Sequence, residues 1–143
     1  MGAVDVIFAR SHSIGSIGIR AVTWSRWSHC AIVLPGCEAV IEATWPHGVR
    51  DSSLSGLIQR SSRHEFIEVD VPNPDATYRF LRLQLGRPYD TWGVLGLGLH
   101  REWQDPQAWW CSELVEAALA AGGRCRFRAD AQRVTQQHSW MVN

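Results

Sequence analysis

Cys111 stands at the head of the run Trp109-Trp110-Cys111-Ser112-Glu113-Leu114-Val115, whose apolar spacing predicts a helix beginning at the cysteine. The first turn of a helix leaves backbone N–H groups unpaired and carries a partial positive charge. It therefore favours thiolate over thiol and can hold a developing oxyanion. A cysteine there is a candidate nucleophile if a histidine and a group that orients it come from elsewhere in the chain. His29 opens a β-rich apolar segment, residues 28–34, that stops at Pro35-Gly36, and Glu42 lies in the following segment, residues 39–44. Side chains alternate along a strand, so His29, Ala31 and Val33 share one face while Cys30, Ile32 and Leu34 share the other. By the same rule Val40, Glu42 and Thr44 form one set, and a reasonable register sets Glu42 beside His29. A carboxylate there would fix the tautomer of the imidazole and stabilise the imidazolium. The alternation also separates His29 from Cys30, which are not expected to serve one site.

The elements that must position these groups fall into strands first and helices second. Val4–Ala9 is a short apolar strand, and residues 28–34 and 39–44 form a hairpin around Pro35-Gly36. The polar stretch 50–63, with five serines, is expected as an exposed loop carrying one apolar island at Leu54, Leu57 and Ile58. A strand over Glu65–Val71 is broken by Pro72-Asn73-Pro74-Asp75. Asp75 is then the expected N-cap of a helix through Tyr78, Leu81 and Leu85 that stops at Gly86. The helix from Cys111 carries Leu114, Val115, Ala118 and Leu119 on the cysteine's own stripe and ends at Gly122-Gly123. That stripe points the thiol into the fold, where an inert buried cysteine is the competing explanation. The expectation is an α+β domain with a small antiparallel sheet, or half-barrel, packed against the nucleophile helix.

Composition sets the frame. The 143 residues suit one domain spanning 1–143. Fourteen basic residues, all arginine, balance fourteen acidic ones, so no electrostatic footprint points to nucleic acid. Most of the eight tryptophans are expected in the core. The four cysteines, Cys30, Cys37, Cys111 and Cys125, are too sparse for a disulfide framework and are expected as free thiols. No C-x-x-C or H-x-x-x-H pair is present, so no metal site is expected. The N-terminus lacks a signal-peptide pattern, and no run of eighteen apolar residues occurs. A cytoplasmic monomer with no stable membrane insertion is the default, with release or export by another route left open.

With these residues placed, a family resemblance emerges. Trp27-Ser28-His29-Cys30-Ala31-Ile32-Val33-Leu34-Pro35-Gly36 followed by Ala39-Val40-Ile41-Glu42-Ala43 resembles the histidine hairpin of NlpC-type papain-like peptidases. Gly86-Arg87-Pro88-Tyr89-Asp90 and Trp110-Cys111-Ser112-Glu113-Leu114-Val115 resemble that superfamily's tyrosine segment and nucleophile helix. The order is reversed, histidine before cysteine. This is similar to the circularly permuted branch that holds YiiX-like proteins and relatives of lecithin:retinol acyltransferase. The resemblance spans roughly residues 1–120. Ala31 stands where many relatives have glycine, and the Tyr89-to-Cys111 spacing is longer than usual.

The resemblance implies a permuted papain-like fold with Cys111 as nucleophile, His29 as general base and acid, and Glu42 as the orienting residue. It also implies that Tyr89 shapes the substrate cleft, with Trp110 and Ser112, which flank the cysteine, expected to line it. The implied activity is a cysteine hydrolase (amidase or peptidase) cleaving an amide bond through a thioester, with bacterial cell-wall peptides as first substrate. It needs no cofactor. Two alternatives stay open: a lipid-directed acyltransferase or thioesterase using the same site, and a non-catalytic binding domain. Of the remaining histidines, His12, His64, His100 and His138 are expected on the surface or in loops, and His47 is held in reserve. Asp90 is expected as a turn residue rather than an orienter, and Glu113 on the solvent side of its helix. The glycine-rich apolar stretch 92–99 is expected to pack in the core, with a lipid-facing lid as the sharper alternative.

Overall fold

A computed structural model describes residues 1–11, 21, 25–36, 38–91, 107–127 and 136–141. Its centre is an antiparallel five-stranded sheet in the order β4-β3-β2-β1-β5. The strands are β1 (Gly2–Arg10), β2 (His29–Val33), β3 (Ala39–Thr44), β4 (Gly48–Ser53) and β5 (Arg63–Val71). The helices are α1 (Leu54–Arg60), α2 (Pro74–Gln84), α3 (Cys111–Ala121) and α4 (Gln136–Met141). Together they make a mixed α+β fold. The apolar stretch 92–99, Cys37, His12, His100 and the side chain of His138 lie outside the described residues.

Alternation along the strands separates two apolar faces. Val4, Val6 and Phe8 of β1, with Cys30, Ile32, Ile41, Ala43, Val69 and Val71, meet Leu81 of α2 and Leu114, Val115, Ala118 and Leu119 of α3. The opposite face sets Ile7, Ala9, Ala31, Val33 and Val40 against Leu54 and Leu57 of α1. The sheet is thus covered by helices on both sides, which explains why β1, lying between β2 and β5, is an almost unbroken apolar run. Burying a leucine or isoleucine in such a layer contributes about 1.5–3 kcal/mol.

Residues 50–63 depart from the expected loop. Their first part completes β4, paired with β3 from Ala39↔Ser53 to Thr44↔Gly48, and the rest forms α1. Ser53 caps that helix by accepting the Gly56 N–H at 3.2 Å. The apolar island sits at i, i+3 and i+4, a helical spacing that buries Leu54 and Leu57 against the sheet. Five serines hid this pattern because serine is common in loops and equally apt at caps and strand edges. The cap of α2 also differs: Asn73, not Asp75, accepts the Ala76 N–H at 3.1 Å, with Pro74 at the first helical position. Asp75 lies inside the first turn, where its charge complements the helix dipole.

Two close contacts hold the site-bearing segments. At Gly48, φ is +76° and a Cβ would stand 2.2 Å from the Arg87 carbonyl oxygen, so the β3–β4 turn fits tightly against the chain leading to Tyr89. Val49 N–H donates to Arg87 O at 2.8 Å, and Gly86 N–H to Val49 O at 2.9 Å. Tyr89 and Trp109 form a parallel bridge, with Trp109 N–H donating to Pro88 O at 3.0 Å and Asp90 N–H to Trp109 O at 3.1 Å. This bridge delivers Trp110 and Cys111 to the end of the sheet.

Candidate active site

His29 opens β2 and Glu42 lies in β3. The register pairs Ile32 with Ile41 and Val33 with Val40, which sets Glu42 opposite Ala31 and diagonal to His29 on the same face. The two side chains close that diagonal: His29 Nε2 and Glu42 Oε2 are 2.6 Å apart. Glu42 is 1 % exposed and would carry a costly buried charge if left alone. Its other oxygen accepts from Ser52 Oγ at 2.8 Å and Arg50 Nε at 3.4 Å, with Arg60 at 3.7 Å. Burial alone would raise its carboxyl, but the hydrogen bond and charge of His29, with Ser52 and Arg50, lower it from 4.5 to about 2.

The imidazole also meets the thiol of Cys111, the first residue of α3. Burial favours the neutral ring. Hydrogen bonds to Cys111 and Glu42, with their negative charges, outweigh it and raise His29 from 6.5 to about 10. With Nε2 turned to Glu42, Nδ1 is the ring nitrogen left for sulfur. The ring therefore favours its imidazolium form, between the Glu42 carboxylate and the Cys111 sulfur. Cys111 is 2 % exposed, and its N-cap residue, Trp110, makes no side-chain capping hydrogen bond to the first turn of α3.

Cys30 enters where alternation excluded it. It lies on the strand face that packs against α3, opposite to the face of His29, and its thiol hydrogen-bonds Cys111, which also meets His29. The reason is position: α3 begins over the start of β2, so the sulfur at the helix end is reached both by Cys30 on the near face and by His29 at the strand's first residue. Burial, then the neighbouring Cys111, keep the Cys30 thiol well above its ordinary value, so it stays protonated.

Tyr89 lies close enough for the Cys111 charge to act on it; burial first, then that charge, push its phenol up. Trp110 is 5 % exposed, and Ser112 and Asp90 are buried. Glu113 is half-buried rather than on an open face, whereas His47 is exposed at the β3–β4 turn. Sequence reasoning missed Ser52, Arg50 and Arg60 around Glu42. The turn Trp45-Pro46-His47-Gly48 was the available signal, because it announces the hairpin that carries Arg50 and Ser52 back past Glu42.

No family model matches the chain, and no curated protein matches it. Among solved structures, its fold is similar to that of the metalloprotein YiiX from Escherichia coli, a DUF1105 protein, with a TM-score of 0.63 and 22% identity over 87% of this chain and 68% of that one. The chain therefore has a YiiX-like fold. Among its described residues no group of three or more His, Cys, Asp or Glu side chains is placed to share a metal ion. The donors around Glu42 do not fit one: His29 Nε2 and Glu42 Oε2 are bonded to each other, and the remaining carboxylate oxygen faces two arginines whose charge repels a cation.

Proposed function

We propose that this protein is a cysteine hydrolase of the permuted NlpC, papain-like type, cleaving an amide bond with Cys111, His29 and Glu42. The observation that carries this reading is the His29 ring held between the Glu42 carboxylate, at 2.6 Å, and the Cys111 thiol. Three groups in nucleophile, base and orienter roles, brought together from a hairpin and a helix distant from it in sequence, are what thiol acyl transfer requires.

The steps follow from the protonation states. His29 holds the thiol proton, so the Cys111 sulfur attacks the carbonyl carbon as thiolate. A C–S bond forms and the carbonyl π pair moves to oxygen. The backbone N–H groups of the first turn of α3, including that of Cys111, would supply the donors for that oxyanion. The intermediate collapses as the C–N bond breaks, and His29 gives its proton to the departing amine. Water, deprotonated by the now neutral imidazole, then hydrolyses the thioester. Glu42 holds the ring in place and keeps it cationic in the resting state.

A cell-wall peptide is the first substrate in this reading. Incubation with muropeptides should release a free amine, and Cys111→Ala should abolish release. An acyl-enzyme mass adduct formed with lipid and not with muropeptides would move the assignment to lipid acyl transfer. Unchanged turnover in Cys111→Ala would end both.

A further inference from the structure

Cys30 has no task in that mechanism, yet it lies side chain to side chain with the nucleophile. Cys30 of β2 and Cys111 of α3 belong to one buried apolar cluster, are 0 % and 2 % exposed, and are hydrogen-bonded to each other through their thiols. Both are free thiols, and the third described cysteine, Cys125, is exposed. Two sulfurs within hydrogen-bonding reach, on elements packed against one another, need only small movements to reach bonding distance. We propose that Cys30 and Cys111 form a reversible intramolecular disulfide when a hydroperoxide oxidises the nucleophile, a modification that protects Cys111 from irreversible loss. The proposal rests on the reading of Cys111 as an activated thiolate.

The chemistry balances with the hydroperoxide as the sole oxidant. The Cys111 thiolate attacks the distal peroxide oxygen; an S–O bond forms, the O–O bond breaks, and sulfur loses two electrons to the peroxide. The departing oxyanion takes a proton, leaving Cys111 as a sulfenic acid. The Cys30 sulfur then attacks the sulfenic sulfur. The S–S bond forms as the S–O bond breaks, and the hydroxide released combines with the Cys30 proton as water. Because Cys30 is held protonated, the oxidant meets a thiolate only at Cys111, which sets the order of events. While the link exists, the nucleophile is blocked. A dithiol reductant returns both thiols.

The experiment uses the full chain treated with hydrogen peroxide, quenched with an alkylating agent, and mapped by peptide mass spectrometry without reduction. The expected product joins the Cys30 and Cys111 peptides, and dithiothreitol then restores labelling of Cys111. In Cys30→Ala and Cys30→Ser the link is absent and Cys111 passes to sulfinic acid, with loss of recovery by dithiothreitol. Sulfinic or sulfonic acid at Cys111 in the unaltered protein, with no linked peptide, overturns the proposal. Cys125 serves as the reference thiol for the underlying reading: a link formed in a protein whose Cys111 alkylates no faster than Cys125 near pH 6 keeps the pair and removes the hydrolase.

Discussion

At the residue scale, the site rests on the charge state of His29. An imidazole raised to about 10 keeps its proton through neutrality, so Cys111 should react as a thiolate well below the ordinary thiol range of about 8.5. Iodoacetamide labelling of Cys111 should remain fast near pH 6. Glu42→Gln keeps the shape of the side chain and removes its charge. Its Cys111 labelling at pH 6 should drop about tenfold or more, because below a thiol's pKa the thiolate fraction falls roughly tenfold with each pH unit. The same pair leaves a signature in stability. Glu42, lowered from 4.5 to about 2, contributes stability that is present above 4.5 and lost as pH falls through about 2. His29, raised from 6.5 to about 10, contributes stability that is present below 6.5 and lost as pH rises through about 10. The difference in urea midpoint between the unaltered protein and Glu42→Gln should therefore be greatest between pH 4.5 and 6.5 and shrink on either side. A difference that stays flat from acid through alkaline pH would contradict the pairing.

At the element scale, the β3–β4 turn and the bridge behind Cys111 set the geometry. Gly48→Ala would force a Cβ into the Arg87 carbonyl at a positive φ and shift the segment that carries Tyr89. It should cost about 2 kcal/mol or more by urea denaturation, against about 1 kcal/mol for Ser53→Ala, which removes only the cap of α1. What could be seen in the sequence followed period and punctuation. The apolar stripe fixed α3 from Cys111 to Ala121, and Pro35-Gly36 fixed the hairpin that brings Glu42 to His29. The histidine, carboxylate and cysteine were legible because each sits on a strongly periodic element. Ser52, Arg50 and Arg60 were not, since their place beside Glu42 depends on a strand and helix whose serines resemble a loop. Cys30 escapes the sequence for the same kind of reason: alternation fixes a face but says nothing of what packs over the end of the strand.

At the scale of the whole molecule, α3 joins the site to the core. Leu114 is fully buried against the sheet one turn beyond Cys111, so Leu114→Ala should destabilise the protein by about 2–5 kcal/mol, read from the urea midpoint. The middle of α3 is tied to α4 by Glu116, which accepts from Arg126 Nε at 3.2 Å, while Arg126 donates to Ser139 Oγ at 2.8 Å. Trp140 of α4 donates to Glu65 of β5 at 3.2 Å, so α4 ties α3 to the far edge of the sheet. The order of elements along the chain has a consequence during synthesis. The five strands of the described residues lie between Gly2 and Val71, so the sheet with His29 and Glu42 can pair while the ribosome has yet to add Cys111. Translation therefore completes the His29–Glu42 pair before it supplies the Cys111 sulfur that meets it.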